Sequence, residues 1–217
     1  MGMKKIFYVL MFLPIIICFG ALPLLPDKIP AHYGASGQVD RWGSPYEILL
    51  LPVFVILFGL FMLGMAKLSA KQEGSGKNNE KICILAGIYL FLLFNGMTGY
   101  ILYTSFQQVE DLSTLSLDIS QLAFGLLGIV LIVIGNVMPK ARMNTVTGLR
   151  TTWSMKNETT WKKSQRFGGI ALMVSGLLIL LVSCLTRGAA CIALSLGILL
   201  AASGISVLYT YRIAKRY

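Results

Sequence analysis

Apolar runs alternate with shorter polar stretches along the whole of this 217-residue chain. The apolar runs cover residues 6–25, 48–66, 82–106, 121–137, 170–186 and 189–209. Each has roughly the 17–25 residues that an α-helix needs to cross a hydrocarbon core. The pattern predicts an all-α, polytopic membrane protein with six transmembrane helices in one integral domain, 1–217. Two polar stretches stand out between the runs: a Pro-, Gly- and Ser-rich loop at 26–47 and a basic loop at 138–169.

Lys4 and Lys5 ahead of the first run would also suit a signal peptide, but the run exceeds the ~7–15 apolar residues of a signal and lacks a small-residue cleavage site. It is expected to stay as span one, bent at Pro14. Asn95 and Thr98 lie at mid-depth in span three and are expected to hydrogen-bond within the bundle. In span six, Ala189, Ala193, Gly197 and Ala201 recur every fourth residue, a small-residue stripe that admits a close neighbour. Span five, across the short turn at Arg187-Gly188, is the expected neighbour, and a homodimer is the stripe's alternative use.

Composition agrees: 56% of residues are hydrophobic and 13% charged, against about 25% charged in a soluble domain. The net charge of +10 would suggest nucleic acid in a soluble protein, yet here the cations gather in particular loops. Of 19 Lys and Arg, all but Lys28, Arg41 and Arg187 fall at the termini, in the connector after span two, or in the basic loop. By the positive-inside rule both termini are cytoplasmic, the 26–47 loop lies outside, and no direct nucleic-acid binding is expected. The four cysteines have no C-x-x-C spacing, so metal or redox chemistry is not expected. Cys184 and Cys191 flank one turn and could pair on an oxidising side, although buried unpaired thiols are the simpler expectation.

The basic loop holds Lys140, Arg142, Arg150, Lys156, Lys162, Lys163 and Arg166 against one acid, Glu158, together with Trp153 and Trp161. Asn157 can cap a short helix toward Phe167, which would lie at the interface with Trp161 and Phe167 among the head groups. Two readings stand side by side: an anchor on anionic lipid, and a docking surface built on a Gly148-x-Arg150-Thr151 turn. The series Asn136, Met138-Pro139-Lys140, Asn144, Gly148-x-Arg150-Thr151, Asn157 and Trp161 resembles the signature of the SdpI family of bacterial toxin-immunity proteins. In the 26–47 loop, Ile29-Pro30-x-His32-Tyr33 and Gly37-x-x-Asp40-x-Trp42-Gly43 resemble the domain of uncharacterised function that often precedes that signature.

The resemblance implies a multi-pass protein of the bacterial plasma membrane. It implies that a secreted peptide toxin is bound outside and that a cytoplasmic transcriptional repressor is held inside; the outer-loop candidates for toxin or ligand contact are His32, Tyr33, Asp40 and Trp42. The inner loop candidates for that partner, or for membrane lipid, are Asn136, Pro139, Lys140, Asn144, Gly148, Arg150, Thr151, Asn157 and Trp161. No cofactor, metal or catalytic residue is expected: His32 stands alone, without H-E-x-x-H or comparable spacing. Glu47 and Asp118 sit at span edges rather than at mid-membrane, which weighs against proton-coupled transport. A small transporter, or a membrane enzyme with an unrecognised site, is the alternative class.

Overall fold

The computed structural model describes residues 2–34, 36–72 and 76–217. Among the described residues six helices are long and apolar enough to cross a membrane: α1 (Met3–Ala21), α2 (Leu50–Ala70), α3 (Gly76–Phe106), α4 (Ile119–Val137), α5 (Glu158–Leu185) and α6 (Gly188–Arg216). In the loop after α1 the chain also forms a two-stranded antiparallel ribbon, β1 (Ile29–Tyr33) and β2 (Val39–Gly43). The helices form two groups of three, with α1, α2 and α3 packed together, α4, α5 and α6 packed together, and α3 against α4 joining them.

Two helices begin well before their apolar runs. α3 starts at Gly76 and α5 at Glu158, so the polar residues ahead of those runs are helical turns rather than loop. The expected interfacial helix at 157–167 is instead the first part of α5. Asn157 caps it by accepting the N–H of Thr160 at 2.9 Å, and the helix then runs on without a break. The helix expected to lie flat therefore stands upright.

Pro14 in α1 has no N–H, which leaves the carbonyl of Leu10 without its helical donor. Asn95 of α3 supplies one, its Nδ2 lying 2.9 Å from Leu10 O and 2.7 Å from Phe91 O. In hydrocarbon no water can do this, so Pro14 and Asn95 form a matched pair. Thr98 instead bonds back to Phe94 O of its own helix at 2.9 Å. Around this pair α1 seats Phe7 over Gly87 and Met11 over Gly59, where a Cβ would come within 2.4 Å of the Phe7 ring and 2.2 Å of the Met11 sulfur.

The closest helix contact is between α4 and α5. A Cβ on Gly128 would lie 2.8 Å from Gly176 O, and one on either Gly135 or Gly169 only 2.5 Å from the other's carbonyl. Both glycine pairs repeat at seven residues. One repeat further along, the Gln121 amide donates to Ser183 O at 3.0 Å. Without a hydrophobic force between helices in lipid, such close van der Waals contact is the main source of association.

The α6 stripe does not face α5. Ala189, Ala193, Gly197 and Ala201 are exposed, and the buried face of α6 carries Cys191, Ser195, Ser206 and Thr210. Ser206 and Thr210 turn their hydroxyls back onto Ala202 O and Val207 O, so these polar residues pack as small ones. Cys184 is exposed and Cys191 buried, and both are free thiols.

Asn95→Leu is expected to destabilise the fold by about 1 kcal/mol, and much less when Pro14→Ala has restored the missing donor. A double-mutant cycle in detergent unfolding checks this. Equal costs in both backgrounds would separate the two residues.

Candidate functional site

Ordered polar caps close both ends of the bundle. At one end the ribbon pairs Ile29 with Gly43, Pro30 with Trp42, His32 with Arg41 and Tyr33 with Val39, with irregularities on either side of His32. Its turn is closed by Gly34 N–H donating to Gln38 O at 2.8 Å, and Gly37 takes φ +84. The α3–α4 loop adds a partial third strand. Val39 N–H donates to Glu110 O and Leu112 N–H to Gly37 O, each at 2.9 Å.

Of the four ribbon candidates, His32 and Asp40 are brought together, Nδ1 to Oδ1 at 2.6 Å, on an exposed face. Tyr33 turns inward and donates to Val109 O at 2.9 Å, and its burial raises the phenol above its ordinary value. Trp42 is 38% exposed. Below it Arg41 grips Glu47 with both arms, at 2.9 and 3.1 Å, a fork that spacing alone did not reveal. Asp118 closes this end by capping two helices. Oδ1 accepts from Gln121 N–H at 2.9 Å and Oδ2 from Gly188 N–H at 2.8 Å. Burial alone would raise its carboxyl, but the Ser120 hydroxyl and these N–H groups outweigh it and hold it below the ordinary value. Arg187 donates to the carbonyls of Leu115 and Ser116 beside it.

At the other end the 141–157 loop folds over the helix ends, and side-chain amides hold it there. Asn79 of α3, fully buried, both donates to Arg142 O and accepts Arg142 N–H, each at 3.1 Å. Gln165 of α5, also fully buried, does the same to Leu149, accepting its N–H and donating to its carbonyl at 2.9 Å each. Gln72 joins Thr145 through side chain and backbone, donating to the hydroxyl at 2.7 Å and accepting the N–H at 3.3 Å. Asn79 and Gln165 each take the place of one rung of a β-ladder, so an irregular backbone is satisfied without a strand.

The inner candidates divide into those that build this cap and those on its surface. Asn144, 4% exposed, accepts the N–H groups of Val146 and Thr147 and donates to Arg142 O and Thr147 O. Gly148 takes φ +99, and a Cβ there would lie 2.5 Å from Gln165 Oε1. Thr151 and Ser154 exchange hydrogen bonds, and Thr151 also meets Thr210 of α6 at 3.1 Å. Pro139 lies against Gly169.

Trp161 was expected among head groups, but it is 1% exposed and donates to Ala141 O at 2.8 Å. The start of α5 runs inside the cap, which takes its ring out of reach of lipid. Asn136, Lys140 and Arg150 are exposed, and the Arg150 guanidinium donates to Thr145 O. The C-terminal turn of α6 is tied in as well. Lys156 donates to Ala214 O at 2.8 Å, and Lys163 bonds the Tyr217 hydroxyl and lowers its pKa. Sequence reasoning missed Gln72, Asn79 and Gln165, whose only signal was an amide where a solvated turn would carry a charge. Among the described residues no three His, Cys, Asp or Glu side chains stand together as metal ligands.

Six spanning helices with a hydrogen-bonded polar cap at each end define a polytopic membrane protein with short extramembrane parts. The chain belongs to the SdpI family. Over residues 140–210 it matches the model of the SdpI/YfhL protein family, and over residues 9–56 that of a domain of unknown function, DUF1648. It is 31% identical over 209 residues to the Immunity protein SdpI of Bacillus subtilis (strain 168), covering 93% of this chain and 94% of that protein. An uncharacterized protein of Archaeoglobus fulgidus is 41% identical over 44 residues, 20% of this chain and 24% of its own. No solved structure matches. The chain is thus a multi-pass protein of the bacterial membrane, and the resemblance read from the two motif sets is confirmed.

Removing one amide hand should loosen the cap without unfolding the bundle. Gln165→Leu and Asn79→Leu each leave one backbone N–H, that of Leu149 or Arg142, without its acceptor, at about 1–3 kcal/mol, while the carbonyls keep Ser154 and Asn144 as donors. Limited proteolysis between 141 and 157 should quicken in both, while helical circular dichroism is unchanged.

Proposed function

We propose that the chain protects its cell against a secreted peptide toxin, taking the toxin at the ribbon end and a cytoplasmic transcriptional repressor at the loop end, by binding rather than catalysis. The observation that carries this is the 31% identity to the Immunity protein SdpI, which runs over 93% of the chain and so includes both caps. The excess of Lys and Arg at the loop end argues for that end, and both termini, on the cytoplasmic side.

On this reading the ribbon meets the toxin through Trp42 and the His32–Asp40 pair, an aromatic surface beside a polar one. Tyr33 supports that surface from within. At the loop end Arg150 is the contact residue, because its fork is planar, always charged and exposed on a turn that buried amides hold still. Asn144, Gly148, Thr151, Asn157 and Trp161 position it. Lys140 and Asn136, also exposed, serve a partner or lipid.

Orientation is tested with single cysteines at Ser36, Ser113 and Lys71, all exposed positions. The first two should react with an impermeant thiol reagent in intact cells and the third only after lysis. Labelling of Lys71→Cys alone would invert the protein and this assignment with it.

Function is tested by toxin resistance at matched membrane abundance. Trp42→Ala should lower the tolerated toxin concentration roughly tenfold or more, as loss of a central aromatic contact does. Arg150→Lys should impair repressor recruitment as strongly as Arg150→Ala, since lysine keeps the charge and loses the fork. Full recruitment with lysine would reduce the site to an attraction for anionic lipid.

A further inference from the structure

A cavity of about 460 Å³ lies between the two groups of three helices, directly beneath the loop cap. That is within the ~300–1,000 Å³ of small-molecule sites. Met65, Leu85 and Val137 are among the apolar residues of its wall, and Leu149 of the loop closes the top. It opens sideways between α2 and α6, where the lining residues Phe61, Ser203 and Val207 are exposed. All three belong to apolar runs, so the opening faces hydrocarbon and a ligand enters from the bilayer rather than from water.

Four side-chain hydroxyls also line the cavity, those of Tyr89, Thr147, Ser203 and Ser206. Ser206 spends its own on Ala202 O and Thr147 on Asn144 Oδ1. The hydroxyls of Tyr89 and Ser203 have no hydrogen-bond partner among the described residues. At 1.5 Å per residue Tyr89 stands about 10 Å inside the loop-end limit of its apolar run, and Ser203 about 9 Å inside its own. Hydrocarbon offers no partner at that depth, so both hydroxyls point to polar atoms on whatever fills the cavity.

We propose that the cavity binds one neutral membrane lipid whose carbonyl oxygens accept from Tyr89 and Ser203 and whose hydrocarbon fills the apolar remainder. The depth of the two hydroxyls selects for neutrality. A phospholipid carries its phosphate only a few bonds from its ester carbonyls, and with those carbonyls at Tyr89 the charge would be drawn into hydrocarbon. A transmembrane helix is too thick: at about 10 Å across and 5.4 Å of pitch it takes roughly 420 Å³ for each turn. The cavity would hold one turn of a segment that needs about five or six. Two kinds of membrane lipid carry carbonyls without a charge, prenylated quinones and diacylglycerols. Val146, Thr147, Gly148 and Leu149 all line the cavity, so the bound lipid also braces the loop from below.

The full chain, purified in dodecyl maltoside and stripped of lipid, is given menaquinone-4, dioleoylglycerol, dioleoylphosphatidylcholine or hexadecane, the last without any oxygen. The expected result is a one-to-one adduct of menaquinone-4 or dioleoylglycerol in native mass spectrometry, with a rise in Tm on the order of 5 °C near saturation. Proteolysis between 141 and 157 should slow with it. The tighter of the two names the source of the carbonyls. Tyr89→Phe with Ser203→Ala should weaken that lipid roughly tenfold or more and leave hexadecane unchanged, a selectivity that a merely structural role would not produce. Ala86→Phe, filling the cavity from its wall, should abolish the adduct. Failure of both carbonyl lipids to form an adduct would overturn the proposal, as would equal binding of hexadecane. So would equal retention of the phosphatidylcholine, which would mean annular lipid only. The comparison of the four probes on the unaltered chain decides the matter even where a filled-cavity variant fails to fold.

Discussion

The contact between α4 and α5 is the constraint on which the loop end depends. Four glycines let two backbones meet so closely that a single methyl at Gly135, Gly169 or Gly176 would strike a carbonyl at 2.5 Å. This fixes the end of α4 against the early turns of α5. Pro139 then rests on Gly169, and Trp161 reaches across to Ala141. The 141–157 loop has both its ends held in one place and can be folded by a few hydrogen bonds. A wider helix spacing would leave the same loop sequence with nothing to grip.

The second constraint is polar satisfaction where water is scarce. Asn95 answers Pro14, Asn79 answers Arg142, Gln165 answers Leu149, and Asp118 answers Gly188 at the start of α6. In each case a short side chain from a neighbouring element completes a backbone group that its own helix or loop leaves open. These bonds join elements distant in sequence, and they give the caps a definite shape although their regular secondary structure amounts to one ribbon and a few turns.

The six spans were legible because hydropathy and length alone define them, and both motif sets were legible as ordered spacing. Helix starts were not: the turns at 76–81 and 158–169 carry the same polar residues that a solvated connector would. The ribbon escaped because its strands are five residues long, hold Pro30 and Gly43, and show no regular alternation of apolar and polar positions. Trp161 was misplaced for a related reason. Aromatic residues near cations suit an interface, and only the upright course of α5 shows that this one lies under the loop. The pairings of Asn79 and Gln165 are facts of tertiary structure that no local pattern encodes.

The amide hands of the loop cap have an electrostatic consequence. Neutral dipoles hold this end's backbone, so added salt has little to screen at Asn79, Gln165 or Gln72. At the ribbon end the Arg41–Glu47 fork is exposed, and ions in the medium weaken it, with a Debye length of about 8 Å at physiological strength. Ionic strength thus acts on exposed ion pairs such as this fork more than on the amide pairs of the loop cap. A rise in ionic strength would soften the ribbon's base while the amide pairs around Arg150 keep their shape.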